Sequence, residues 1–277
     1  MNILFWNVGK KNLESEIATI MTSTHTDILV LAEYENASSN LLRILQQRGI
    51  IEYSALSTIG CNRIKVFTNS EMKYFRPVED ADRYSIIEFH KPGNLCLLMA
   101  MVHLSSKLFW KEDDQRIEVS FFRSDIERIE KSEGHSNTII FGDFNMNPFD
   151  PGMISAEAMH SLSCLNTAKS VHRTIKGRQH SFFYNPSWNL LGDRDGVAGT
   201  YFYKDSNYIS YHWNLLDQVI LRPSIADRFD KQSFRIVTEA GGINLLNANN
   251  RPALSDHLPI FFSINLINEE SYEKLMA

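Results

Sequence analysis

Cysteine is scarce in this chain. Three residues in 277 (Cys61, Cys96 and Cys164) lie far apart and form no CxxC pair. That spacing argues against a disulfide framework and a thiolate zinc site, and it fits a reducing compartment, so a cytoplasmic location is expected. Basic charge is not in excess either: 28 Lys and Arg stand against 33 Asp and Glu, for a net charge of −5. A protein that coats nucleic acid through bulk positive charge is thereby disfavoured, whereas a local basic groove is not. No uninterrupted run of about 18 apolar residues occurs, which excludes a membrane-spanning helix and leaves no membrane insertion to expect. The opening MNILFWNVGKKN is too short in its apolar part for a secretory leader, and no cation precedes it. Repeats, low-complexity linkers, a Walker-type glycine loop and a GxSxG elbow are all missing.

What is present reads as an ordinary globular chain, 43% hydrophobic and 22% charged. Its length is near the upper end for one hydrophobic core, and the uniform composition favours one domain over 1–277, with a core to about residue 266 and a tail at 267–277. Asn2 to Val8 reads as a buried strand. Leu13, Ile17 and Ile20 recur at helical spacing over Asn12 to Ser23. Asp27 to Glu33 (DILVLAE) is a continuous apolar run, as in a strand covered on both faces. Asn40 to Arg48 is helical and stops at Gly49. This βαβα opening argues for a layered α/β protein. Strands follow at Arg63–Thr68, Tyr84–Phe89 and Leu95–His103. A helix over Glu112–Lys131 presents Ile117, Phe121, Ile126 and Ile129 as its apolar face, with Glu127–Lys131 as an i,i+4 pair. Further strands read at Asn137–Gly142, Leu215–Leu221 and His257–Ile264. Two packed sheets flanked by helices would hold this many strands.

Polar residues gather where the apolar runs end. Asn7 closes the first strand, Glu33 the second, and His103 the run LCLLMAMVH. NTIIFGDFN carries Asp143 and Asn145, LLDQVIL carries Asp217, and ALSDHLPI carries Asp256 and His257. A lone carboxylate at a strand end is ordinarily a cap or a turn former. Six such positions are harder to dismiss, because each unpaired buried charge costs several kcal/mol. They need one another, a cation or a substrate. Oxygen ligands from Asn, Glu and Asp suit Mg²⁺ or Mn²⁺, and histidines beside carboxylates can hold phosphate charge or move protons near neutral pH.

Together NVG, LAE, VHL, GDFN, LLDQVIL and SDH resemble the endonuclease/exonuclease/phosphatase superfamily, of the deoxyribonuclease I-like, bacterial nuclease or phosphodiesterase type. The match keeps the family's order from Asn7 to His257. The resemblance implies a four-layered α/β sandwich, two mixed sheets flanked by helices, whose strand-end loops converge on a metal-dependent phosphoester-cleaving site. It implies that Asn7, Glu33 and Asp256 lie close to the metal, Mg²⁺ with Mn²⁺ as a substitute. Asp143 and Asn145 would position and activate water, while His103 and His257, the latter oriented by Asp217, would bind the scissile phosphate. Either Asp143 or His257 would be the base. Ala32 stands where the family often has Gln. His103 stands where apurinic/apyrimidinic endonucleases carry tyrosine, which argues against a dedicated abasic-site enzyme. The expected reaction is endo- or exonucleolytic cleavage of nucleic acid, DNA before RNA. The alternatives are an inositol phosphate or sphingomyelin phosphoesterase of the same superfamily and, more remotely, an inert nucleic-acid-binding module.

From Ala158 to Gly192 the chain has no acid at all, but it has Lys169, Arg173, Lys176 and Arg178, three histidines, and then Phe182, Phe183, Tyr184 and Trp188. Basic residues followed by aromatics suit a groove that follows a phosphate backbone and stacks on bases. Lying between GDFN and LLDQVIL, the segment is expected to border the site. The competing reading is a solvated loop whose aromatics pack on the sheet. Tyr201 to Trp213 is a second aromatic run, whose alternation favours a half-buried strand over a stacking platform.

Overall fold

The computed structural model describes residues 1–267 except Ile59, Leu108, Phe109, Asp195, Asp205, Asn207 and Ile209. The expected tail therefore lies, apart from Ile267, outside the described residues. The first half of the chain runs β1 (Asn2–Asn7), α1 (Glu14–Ser23), β2 (Ile28–Ala32), α2 (Ser38–Gln47), β3 (Ser54–Leu56) and β4 (Ile64–Thr68). It continues through β5 (Phe75–Ala81), β6 (Tyr84–Phe89), β7 (Leu97–His103), α3 (Glu112–Glu133) and β8 (Thr138–Asp143). Shorter pieces follow: α4 (Pro151–Ile154), β9 (Ser161–Leu162), α5 (Leu165–Ala168), β10 (His172–Ile175), β11 (Arg178–Ser181), β12 (Phe183–Tyr184), β13 (Tyr201–Phe202) and β14 (Trp213–Asn214). The last strands are β15 (Asp217–Leu221), β16 (Phe229–Ile236), β17 (Glu239–Ala240), β18 (Ile243–Asn244) and β19 (Ile260–Ile264).

Two mixed sheets dominate. One has the order β16-β19-β1-β2-β4-β3, the other β5-β6-β7-β8-β15-β12-β9. Their central strands are apolar on both faces because each sheet is covered twice, whereas the edge strands β5 and β16 are largely exposed or half-buried. Ile3, Phe5, Ile28 and Val30 of the first sheet meet Met99, Met101, Ile139 and Phe141 of the second in a shared core. The alternate residues Leu4, Trp6, Leu29 and Leu31 face α1 and α2 through Ile17, Ile20, Leu41 and Leu45. Leu98, Ala100, Ile140 and Ile220 face α3. The layers are thus helix, sheet, sheet and helix. A period of two in side-chain direction, laid over a continuous apolar run, produces this four-layered sandwich.

The helix α3 corrects the expected apolar face. Ile126 and Ile129 point inward beside Val119 and Phe122, but Phe121 is 67% exposed and Ile117 48% exposed. At 3.6 residues per turn, Phe121 stands about 140° around the helix from Ile126, too far to share its face. Glu127 pairs with Arg123 at 3.0 Å, not with Lys131.

Candidate active site

Pairing between strands brings the polar ends together. In the second sheet His103 of β7 lies opposite Asp143 of β8, and Asp143 lies opposite Asp217 of β15, so three site candidates form one row. In the first sheet Asn7 lies opposite Ala32, which places Glu33 one residue beyond. Asp256 and His257 arrive just before β19, which pairs with β1. All these ends sit on one side of the sandwich. Gly142 allows the row to form, since a Cβ there would run into the backbone of Val102 on β7. Glu33 and Asn145 both carry positive φ, +51° and +52°. Backbone strain of about 1 kcal/mol or more at two non-glycine residues is often stored at functional sites.

Asp143 is the hub. It is buried, its Oδ1 accepts the Asn145 N–H at 2.8 Å, and its Oδ2 accepts from Asn7 Nδ2 at 3.0 Å. The Nε2 atoms of His103 and His257 each lie 3.9 Å from that same Oδ2. Burial pushes the Asp143 carboxyl up, against the pull of the two imidazoles. His103 Nε2 also faces Glu33 Oε1 at 3.3 Å. The His103 hydrogen bond holds the Glu33 carboxyl down at about 2, against its partial burial. His257 Nδ1 bonds Asp217 Oδ2 at 2.8 Å, both groups buried. Burial alone would lower the His257 pKa, but the charges of Asp217 and Asp143 outweigh it and raise it to about 10. Asp256 is exposed, and its Oδ1 accepts from Ser255 Oγ at 3.2 Å.

The eight expected core residues therefore gather around one point: Asn7, Glu33, His103, Asp143, Asn145, Asp217, Asp256 and His257. The basic residues are elsewhere. Lys169 is tied to Asp227 at 2.9 Å, and Arg173, Lys176 and Arg178 ride on the β10–β11 hairpin. That hairpin does not border the strand ends as expected, because its root is fastened near Leu221, at the other end of β15. Phe182, Phe183 and Tyr184 are buried in the core and offer no stacking surface. Of the second aromatic run, Tyr201 and Phe202 form the short strand β13, in line with a half-buried strand.

Several residues at the site were not foreseen. The Tyr201 ring lies 4.8 Å from the His257 imidazole. Thr200 Oγ1 accepts the Asp217 N–H at 3.2 Å. Gln115 Nε2 donates to the backbone carbonyls of Ser105, at 2.7 Å, and Asn145, at 3.1 Å, steadying the loop after β8. The dense aromatics around Tyr201 were a signal, but nothing local to Gln115 marks it.

No known family profile matches the sequence, and no curated protein does. Solved structures do match in fold. An endonuclease/exonuclease/phosphatase family protein from Leptotrichia buccalis superposes with a TM-score of 0.59 at 15% identity, covering 96% of this chain and 100% of that one. Truncated Caenorhabditis elegans TDP2 gives 0.56 at 15% identity, over 94% and 96%. A 3′ phosphatase, NExo, from Neisseria, bound to a product DNA hairpin, gives 0.54 at 18% identity, over 96% and 99%. The chain has the fold of the endonuclease/exonuclease/phosphatase superfamily.

Proposed function

We propose that the protein is a divalent-metal-dependent hydrolase of phosphodiester bonds, a nuclease acting on DNA, and that it works as one domain over 1–277. One observation carries this reading: two imidazoles, three carboxylates and an amide converge at one end of the two sheets, linked through Asp143. The DNA hairpin on the Neisseria relative in fold supports DNA as substrate. Three unpaired cysteines support a reducing, cytoplasmic setting.

The donor set fits a hard cation such as Mg²⁺, with Mn²⁺ as a substitute. Glu33 is ionised throughout the physiological range, and Asn7 and Asp256 offer further oxygens. A Cβ on Gly9 would sit 2.7 Å from Asp256 Oδ1, so glycine keeps that carboxylate clear. Asp217 Oδ1 is buried with no hydrogen-bond partner, a sign that the cluster is not closed on itself. Asn7, Glu33 and Asp256 would hold the ion. When bound, it would polarise a phosphoryl oxygen and make water more acidic.

The remaining residues divide the work. His257, kept cationic by Asp217, presents Nε2 as a charged donor to the phosphate, where negative charge grows during attack. A cation is no base at neutral pH. That leaves Asp143 to take the proton from the attacking water, and burial raises its affinity for that proton. Asn145 and Asn7 fix the two oxygens of Asp143, and His103 bridges it to Glu33. Water attacks directly, so no covalent enzyme intermediate is required.

The test is a panel of plasmid DNA, labelled DNA and RNA oligonucleotides, inositol phosphates and sphingomyelin, each with Mg²⁺ and with EDTA. Cleavage of DNA that EDTA abolishes is the expected result. Turnover of inositol phosphates or sphingomyelin with DNA left intact would refute the nuclease reading.

A further inference from the structure

We propose that the β10–β11 hairpin is a second contact for the phosphate backbone of the nucleic acid strand, remote from the catalytic cleft; this rests on the nuclease reading above. Ile175 pairs with Arg178, so Lys176 and Gly177 alone make the turn. Both have positive φ, +46° and +81°, as a type I′ hairpin turn requires. Arg173, Lys176 and Arg178 fall within a span of six residues, and they form no ion pair among the described residues. Arg173 and Arg178 are exposed. With no acid paired to them among the described residues, their mutual repulsion costs stability. A polyanion is the complementary occupant, in a protein whose overall charge of −5 otherwise repels one.

The hairpin is also held at its root, which lowers the entropy lost when a ligand binds. Arg123 Nη1 donates to the carbonyls of Ala156 and Ala158, each at 2.7 Å, and its Nη2 to that of Ser181 at 2.9 Å. Arg222 Nη1 donates to Ser181 Oγ at 2.9 Å and to the Phe182 carbonyl at 3.1 Å. His180 Nδ1 lies 3.0 Å from the Ala156 carbonyl. Glu127 and Glu130 neutralise the two buried arginines, so the free positive charge is that of the hairpin itself.

Tyr184 pairs with Leu221 in antiparallel register, so Phe182, at the hairpin root, lies six strand residues from Asp217. At about 3.3 Å per residue that is roughly 20 Å. That is the span to the root alone, so a strand rising about 3.4 Å per nucleotide needs about six nucleotides or more to reach both places. The inference is thus a dependence on substrate length, in which a strand of 4 nucleotides is too short to reach both places and one of 20 is long enough.

The test compares wild type with the triple variant R173E/K176E/R178E, using fluorescein-labelled single-stranded DNA of 4 and 20 nucleotides. Binding is read by anisotropy in EDTA between 50 and 200 mM KCl, and cleavage as kcat/KM in Mg²⁺. For the variant, affinity for the 20-mer should fall about tenfold or more at 50 mM. Its slope of log K against log salt should shrink by about 2, from three phosphate contacts at about 0.7 each. The ratio of kcat/KM for the 20-mer over the 4-mer should fall about tenfold. Equal affinities and slopes would overturn the proposal, as would an equal loss on both lengths or a wild type that does not bind the 20-mer. Wild type that binds the 20-mer through the hairpin yet cuts neither DNA would instead overturn the nuclease reading and leave the contact standing.

Discussion

Changing Asp217 to Asn removes one charge and almost no volume, and the structure sets the size of the effect. Asp217 Oδ2 and His257 Nδ1 are 2.8 Å apart and both buried. An asparagine oxygen can still accept that N–H, so a neutral hydrogen bond replaces a charge-assisted one at a cost of about 1–2 kcal/mol. The lost attraction between buried opposite charges brings the total to about 3 kcal/mol. If His257 must be cationic to stabilise the transition state, kcat/KM should fall roughly 10²-fold. Mn²⁺ affinity, which depends on other residues, should move less than about threefold. His257 itself can be followed by NMR: in wild type its ring stays protonated up to about pH 10, and in the variant the titration moves down toward neutrality. The linkage has a definite sign. The raised pKa contributes stability that is fully present below about 6.5 and is lost as pH rises through about 10, so D217N should flatten the alkaline fall in stability. A variant retaining more than a third of wild-type kcat/KM, with the His257 titration unmoved, would refute this assignment.

Neighbouring residues on α3 should part company. Phe122→Ala, at a buried site, should cost about 3–5 kcal/mol in urea unfolding, whereas Phe121→Ser, at a site 67% exposed, should stay within about 0.5 kcal/mol. Similar losses would show that the face of α3 is misassigned. His160 is buried against Phe182, and burial lowers its pKa to about 4. Unfolding therefore takes up a proton between about pH 6.5 and 4, and stability falls as pH drops through that window. Wild type should lose about 1–2 kcal/mol more than His160→Gln between pH 7 and 5; identical acid profiles would remove His160 as the cause. Arg222→Met should lower stability by about 3–5 kcal/mol, because Glu130 is left buried and unpaired. An unchanged melting temperature would contradict the role of Arg222 at the hairpin root.

The site was legible in the sequence because of contrast. Asn7, His103, Asp143 and Asp217 each interrupt or end a run of apolar residues, and a strand covered on both faces leaves few innocent places for such groups. The helices were legible by period and by their stops. What escaped depends on pairing across long distances. Nothing near Asp217 says that β15 lies beside β8, 74 residues away, and nothing near Arg178 says that β10 and β11 are fastened at the far end of β15. That fastening comes from Arg123 and Arg222, which reach Ser181 from α3 and from the end of β15. The aromatics Phe182 to Tyr184 read as a stacking surface only while their strand, β12, had no known neighbours. Once β12 sits between β15 and β9, burial is their only available place. The misjudged face of α3 has the same origin, since four apolar residues fit more than one side of a helix until the sheet selects one.

Two of the buried sets of charges differ in their hydrogen bonding, and that difference separates their roles. Around Arg123 and Arg222 each guanidinium finds at least one carbonyl, a hydroxyl and a glutamate. Both guanidinium groups are thus satisfied, and satisfied charges hold structure: removing a partner exposes a buried charge and lowers stability. Around Asp143 the network stays open. Asp217 Oδ1 and His103 Nδ1 are buried without partners, and the Nε2 atoms of His103 and His257 stop 3.9 Å short of the carboxylate they face. An open cluster costs folding energy, because its desolvation is only partly offset. A fold that needed stability alone would gain by replacing these groups with apolar ones. Their unmet hydrogen bonds are those that the proposed metal and phosphate would meet. It follows that Arg222→Met should cost stability before it costs rate, whereas Asp217→Asn should cost rate as well as the stability that its pair with His257 contributes at neutral pH.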